Sequence, residues 1–115
     1  KFYPADAEGC RREVAALVDG LPPDDAIAGR TLRAGVVPHA GWAFSGRVAA
    51  RVFRALANGR SPSVVVLLGG VHRYRAREAA IFPASRWETP LEVQAPLVKH
   101  FFPDAKIVPM YGPGW

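Results

Sequence analysis

The stretch Val36-Val37-Pro38-His39-Ala40-Gly41-Trp42-Ala43-Phe44-Ser45-Gly46 decides the fold. The apolar residues at 34–37 complete a strand predicted over 32–37. Pro38 cannot donate to a ladder and ends it. His39 follows on a turn loosened by Gly41. Ser45 stands where an N-cap belongs, ahead of a helical pattern. A histidine is therefore expected at the exit of a strand, just before a helix. The same arrangement recurs at 63–72: a strand over 63–68, a Gly69-Gly70-Val71 turn, then His72. In open α/β sheets, ligands bind outside the carboxyl ends of parallel strands.

Between the two strands, Val48, Ala49, Val52, Phe53 and Leu56 fall on one helical face and Arg47, Arg51 and Arg54 on the other. Asn58-Gly59 closes that helix. The run Val64-Val65-Val66-Leu67-Leu68 is apolar throughout, as a strand covered on both faces would be. Strand, helix and strand in succession predict a βαβ unit whose strands are parallel neighbours.

Around this unit the spacing predicts a first helix over 7–18, capped by Asp6, with Cys10, Val14, Leu17 and Val18 on one face. A polar linker covers 22–30. Downstream, the pattern predicts a short strand over 79–82, an irregular stretch over 86–90, a helix over 92–102 and a last strand over 106–109.

The chain has 115 residues, half of them apolar and 22% charged, as expected of one soluble domain. No apolar run approaches membrane-spanning length, and no signal peptide opens the sequence as given. Cys10, the single cysteine, excludes a disulfide framework and a Cys-rich zinc site. The net charge is +5, and twelve of the fifteen cations are arginine. They are scattered, apart from Arg73, Arg75 and Arg77, so the charge reads as a solvated surface rather than a nucleic-acid footprint. Lys1 in place of methionine, and the unpatterned tail at 111–115, suggest a piece of a longer chain.

His39 has two readings. It is either a metal ligand at a strand exit, with the small Ala40 leaving room, or a histidine that bonds a turn carbonyl. His72 gains weight from the pair, because ends of adjacent strands lie roughly 5 Å apart. Two imidazoles are not a complete site. A closed zinc site needs four ligands, and a non-haem iron centre usually takes two histidines and a carboxylate. The nearest acids, Glu78 and Glu88, lack diagnostic spacing. Pro38, Ala40, Gly41, Trp42, Gly69 and Gly70 are expected to line the crevice. Trp42 and Phe44 either wall it or pack. Gly69-Gly70 with Arg73 or Arg75 could instead cradle an anion, although no complete P-loop is present. His100, at a helix C-terminus, reads as structural, and Cys10 as an inert thiol on a buried helix face.

These residues resemble the Memo-like family, whose bacterial and archaeal members are called AmmeMemoRadiSam system protein B. Phe2-Tyr3-Pro4-Ala5-Asp6 resembles its N-terminal motif. The stretch at 37–46 resembles its Pro-His-Ala-Gly-Tyr-x-Tyr-Ser-Gly signature. Leu67-Leu68-Gly69-Gly70-Val71-His72 resembles the strand before its Gly-Pro-Ser-His-His turn, and Trp87-Glu88-Thr89-Pro90-Leu91 a segment ending in Thr-Pro-Leu. Glu92-Val93-Gln94-Ala95-Pro96 resembles the tail of a Glu-His-Ser-x-Glu-Val-Gln-x-Pro motif. Three departures stand out. Gly70, Val71 and Arg73 replace the family's proline, serine and second histidine. The Glu-His-Ser portion is absent, with Leu91 running straight into Glu92 as if a segment between them were deleted. The family's cysteine at the third metal position has no counterpart, since Cys10 lies in a different motif.

The resemblance implies an α/β three-layer sandwich with a mostly parallel sheet, similar to the class III extradiol dioxygenases and here a partial, single domain over 1–115. It implies that His39 and His72 hold a divalent metal, iron or copper rather than zinc, in a cytoplasmic protein of undefined activity. It also implies a genomic association with radical SAM and AMMECR-like proteins. The alternative is a non-catalytic module that recognises an anionic peptide or small molecule through Arg73 and Arg75. Neither reading involves nucleic acid or a membrane.

Overall fold

The computed structural model describes residues 2–69, 80–81 and 91–112. Helix α1 spans Ala7–Val18, α2 Trp42–Ala57 and α3 Ala95–Phe101. Strand β1 spans Val64–Gly69, β2 Ala80–Ile81 and β3 Lys106–Tyr111. Short 3-10 turns cover Asp25–Ile27 and Glu92–Gln94. The sheet order is β1-β3-β2. β1 and β3 run parallel in the register Val64 with Lys106 to Gly69 with Tyr111, and β2 pairs antiparallel with Met110 and Tyr111.

α1 follows from its local chemistry. The Asp6 carboxylate accepts from the Gly9 N–H at 2.7 Å, so one orphan donor of the first turn is satisfied. Val14 then points into the core. α2 buries Trp42, Gly46, Ala49, Ala50 and Phe53. This face is rotated from the one expected, and Val48 lies on the exposed side. The arginines on the far side of α2 do more than face solvent. Arg47 donates to the Asp19 carbonyl at 3.2 Å, Arg51 to Asp24 at 3.1 Å, and Arg54 to the carbonyls of Leu21 and Pro22. They staple the linker after α1 onto α2.

Three expectations need correction. Residues 32–37 form no strand, so the βαβ unit with parallel neighbours at 32–37 and 63–68 does not form; β1 takes β3 as its parallel partner instead. Gly35 explains where the segment goes. A side chain there would meet Val52 at 2.6 Å, so the backbone lies against α2 instead of in the sheet, and Val36 is 92% exposed. The second correction is the start of α2, which begins at Trp42 with Gly41 as its cap residue. Ser45 lies inside the helix and donates to the Ala40 carbonyl at 3.1 Å. The Trp42 N–H, an orphan donor at this helix end, bonds the Phe2 carbonyl at 2.9 Å.

The third correction concerns β1, which among the described residues is covered on one face only. Paired residues of parallel strands point the same way, so Val65, Leu67, Ile107, Pro109 and Tyr111 share an inner face. It packs on a core that joins Val14, Phe53, Leu97 and Val98 from the three helices. The outer face carries Val64, Val66 and Leu68, all exposed, beside half-buried Val108 and Met110. Among the described residues the architecture is thus a helical layer on one side of a small, partly parallel α/β sheet. Pro109 is tolerated in the middle strand because β2 reaches only Met110 and Tyr111. No described helix is long and apolar enough to cross a membrane.

Candidate functional site

The turn at 38–42 is the convergence point of two segments distant in sequence, with a third contact from α2 itself. The N-terminal stretch reaches it first. The Phe2 carbonyl accepts from the Trp42 N–H, and the Tyr3 ring lies 5.4 Å from the Trp42 ring, tilted by 32°. The second contact comes from the 3-10 turn at 92–94. The Trp42 indole Nε1 donates to the Val93 carbonyl at 2.9 Å, and the Gln94 Nε2 donates to the Pro38 carbonyl at 2.7 Å. The third is internal, from Ser45 back to Ala40. Each such bond contributes about 0.5–1.5 kcal/mol net. Together they fix both ends of a turn that contains a proline, an alanine and a glycine.

His39 sits on this turn with its side chain exposed, between half-buried Pro38 and exposed Ala40. Trp42 does not wall an open crevice. It is 3% exposed and belongs to the core, whereas Phe44 is 89% exposed and lies outside that core. Packing against Gly69 is tight: a Cβ there would meet Leu91 at 2.4 Å, so Leu91 fills the space beside the end of β1. Gly41 has ordinary clearance to Phe2. His72, Gly70, Arg73 and Arg75 lie outside the described residues, as do Glu78 and Glu88. Among the described residues no three His, Cys, Asp or Glu side chains gather closely enough to hold a metal ion.

Two side chains near the turn escaped the sequence reading as site residues. Gln94 is 3% exposed, and its Oε1 is buried with no hydrogen-bond partner among the described residues. Such an orphan acceptor costs about 1–3 kcal/mol. Tyr3 is half-buried, and burial raises its phenol pKa above 10.0, with the charges of Glu92 and Cys10 adding to the rise. Both residues fall in motifs quoted above, which was the only available signal. Cys10 itself donates its thiol to the Pro4 carbonyl at 3.2 Å.

An α/β domain that carries an exposed histidine on a turn anchored by two distant segments is the class this geometry defines. The comparisons with known proteins narrow it. The family model described as Memo-like protein matches residues 1–91, and the chain belongs to that family. A MEMO1 family protein of Pyrococcus furiosus is 38% identical over 93 residues, which cover 79% of this chain and 30% of the relative. One from Metallosphaera sedula is 36% identical over 116 residues, covering 93% and 41%. One from Pyrobaculum arsenaticum is 27% identical over 146 residues, covering 95% and 52%. The chain thus spans between 30% and 52% of the length of these three relatives. The last alignment is longer than the 115-residue chain, so it passes over positions of the relative that this chain lacks. The family match ends at residue 91, where the sequence places the junction between two motifs. No solved structure matches the chain significantly.

Proposed function

We propose that this chain is a divalent-metal-binding domain of the Memo-like family, in which His39 supplies one imidazole ligand and His72 a second. The observation that carries the reading is the anchoring of the His39 turn. Two distant segments meet there, and they leave His39 exposed next to small residues. A neutral imidazole held at a fixed position, with Ala40 and Gly41 beside it, fits one position in the coordination shell of iron or copper. A bound ion of this kind would supply Lewis-acid polarisation. The protein's own part is to hold the imidazole still. We assign no reaction to the chain, and a relationship to the extradiol dioxygenases is part of the proposal.

The same reading includes a third layer on the sheet. Its support is the apolar outer face of β1 and β3, because parallel strands are ordinarily covered on both sides. The layer would come from the part of a Memo-family chain beyond the stretch matched here, since the relatives are two to three times as long as their matched portions.

The metal reading is tested by anaerobic uptake of Fe(II), Cu(II) and Zn(II), measured for the native chain, His39→Ala and His72→Ala. The expected outcome is a loss of Fe(II) or Cu(II) uptake in each variant. Equal uptake by all three proteins would refute it.

A further inference from the structure

We infer that Gln94 is a positioning residue for His39, acting through the Pro38 carbonyl. Glutamine is rarely buried this deeply, yet Gln94 is 3% exposed. Its orientation is fixed by chemistry: the Pro38 carbonyl can only accept, so the amide atom 2.7 Å away must be the donor Nε2. That leaves Oε1 buried without a partner among the described residues. An apolar side chain of the same length would fill the space without an orphan acceptor. What the amide alone supplies is the bond to Pro38.

That bond acts directly on the histidine. The Pro38 carbonyl belongs to the peptide unit that ends at the His39 nitrogen and Cα, and this unit is planar. Fixing the oxygen fixes the plane from which His39 departs. The neighbouring residue secures the other end of the turn, because the Val93 carbonyl holds the Trp42 indole. Consecutive residues, Val93 and Gln94, therefore clamp the turn at Trp42 and at Pro38. The anchoring role stands on this geometry; its importance for metal binding rests on the reading of His39 as a ligand.

The test is Gln94→Met, which keeps the length and removes the donor, examined by NMR on the whole chain without metal. The Trp42 indole N–H resonance reports whether the 92–94 turn stays docked. With that resonance in place, backbone order parameters at residues 39–41 should fall from about 0.85 toward 0.6. The nitrogen shifts of the His39 ring should move as its tautomer ratio relaxes. A purely space-filling role for Gln94 would alter neither. Affinity for Co(II) alone should drop about 10-fold or more. A folded variant with unchanged order parameters and unchanged ring shifts overturns the inference. Should Gln94→Met fail to fold, Gln94→Leu also removes the donor with a buried apolar side chain, with the same loosening expected. If neither variant folds, Gln94 is a packing residue and the inference is lost. Failure of the native chain to bind Co(II) would count against the metal reading, while the metal-free NMR result still decides the role of Gln94.

Discussion

The two faces of the β1–β3 pair are built from the same kinds of residue and have opposite fates. The inner face sets Leu67 and Tyr111 against three helices, and both are buried. The outer face sets Val64, Val66 and Leu68 against nothing among the described residues, and Leu68 is 73% exposed. Composition does not distinguish them. The difference lies in which side the helices reach, and this is decided by α3 and the 92–94 turn, which return the chain to the side of the sheet where α1 and α2 already lie. The candidate site follows that side as well, because the clamp on the His39 turn comes from the same 92–94 segment.

The comparison predicts unequal sensitivity. The largest effect should come from Leu97→Ala, which truncates a fully buried side chain at the centre of the packed side. A loss of about 2–5 kcal/mol is expected in denaturant unfolding. A loss below about 1 kcal/mol would mean that the inner core is loosely packed and the two faces are less different than described. Next is Gly69→Ala. The added methyl would meet Leu91 at 2.4 Å, and overpacking of this kind costs about 1–3 kcal/mol. Combining it with Leu91→Ala should be less harmful than the sum of the two single changes, which a double-mutant cycle would read. Asp6→Ala should cost about 1 kcal/mol, because it removes the acceptor for the Gly9 N–H at the start of α1.

How much of this could be read from the sequence depended on how local the deciding interaction is. α1 was legible to the residue, since the Asp6 cap and the apolar spacing lie within one helix. The 92–102 helix and the 106–109 strand were legible as well, apart from the 3-10 first turn, the end of the helix at Phe101 and two further strand residues. The start of α2 was not, because the partner of the Trp42 N–H is the distant Phe2 carbonyl. The 32–37 segment has strand composition, but a strand also needs a neighbour, and Gly35 lets the backbone approach α2 instead. At the candidate site, His39 was legible as the residue carried by a turn. Gln94 was visible only as part of a motif, since the carbonyl it holds lies 56 residues away.

A smaller effect concerns the N-terminal stretch that completes the packed side. Burial raises the Tyr3 pKa in the folded chain, followed by the charges of Glu92 and Cys10, while the unfolded chain keeps about 10.0. The folded state therefore holds the proton where the unfolded state has begun to lose it. The contribution of neutral Tyr3 is fully present below pH 10.0 and is lost as pH rises through the higher folded value. Stability of the native chain should fall more steeply above pH 10 than that of Tyr3→Phe, as measured by thermal unfolding against pH. Parallel curves would show that Tyr3 does not sense the fold.

The smallest expected effect is the most informative about the outer face. Leu68→Lys places a charge on a side chain that already faces water, so the unfolding free energy should change by no more than about 0.5 kcal/mol. The same substitution on the inner face, at Leu67, would bury an unpaired charge and should prevent folding. Measuring both at several protein concentrations adds a further distinction. If Leu68→Lys destabilises strongly and the loss grows with concentration, copies of the chain cover the face in solution, because association stabilises by mass action. If it destabilises equally at every concentration, the outer face is covered within the chain itself and the asymmetry of the sheet disappears. Only a near-zero effect at all concentrations leaves the outer face free for a third layer.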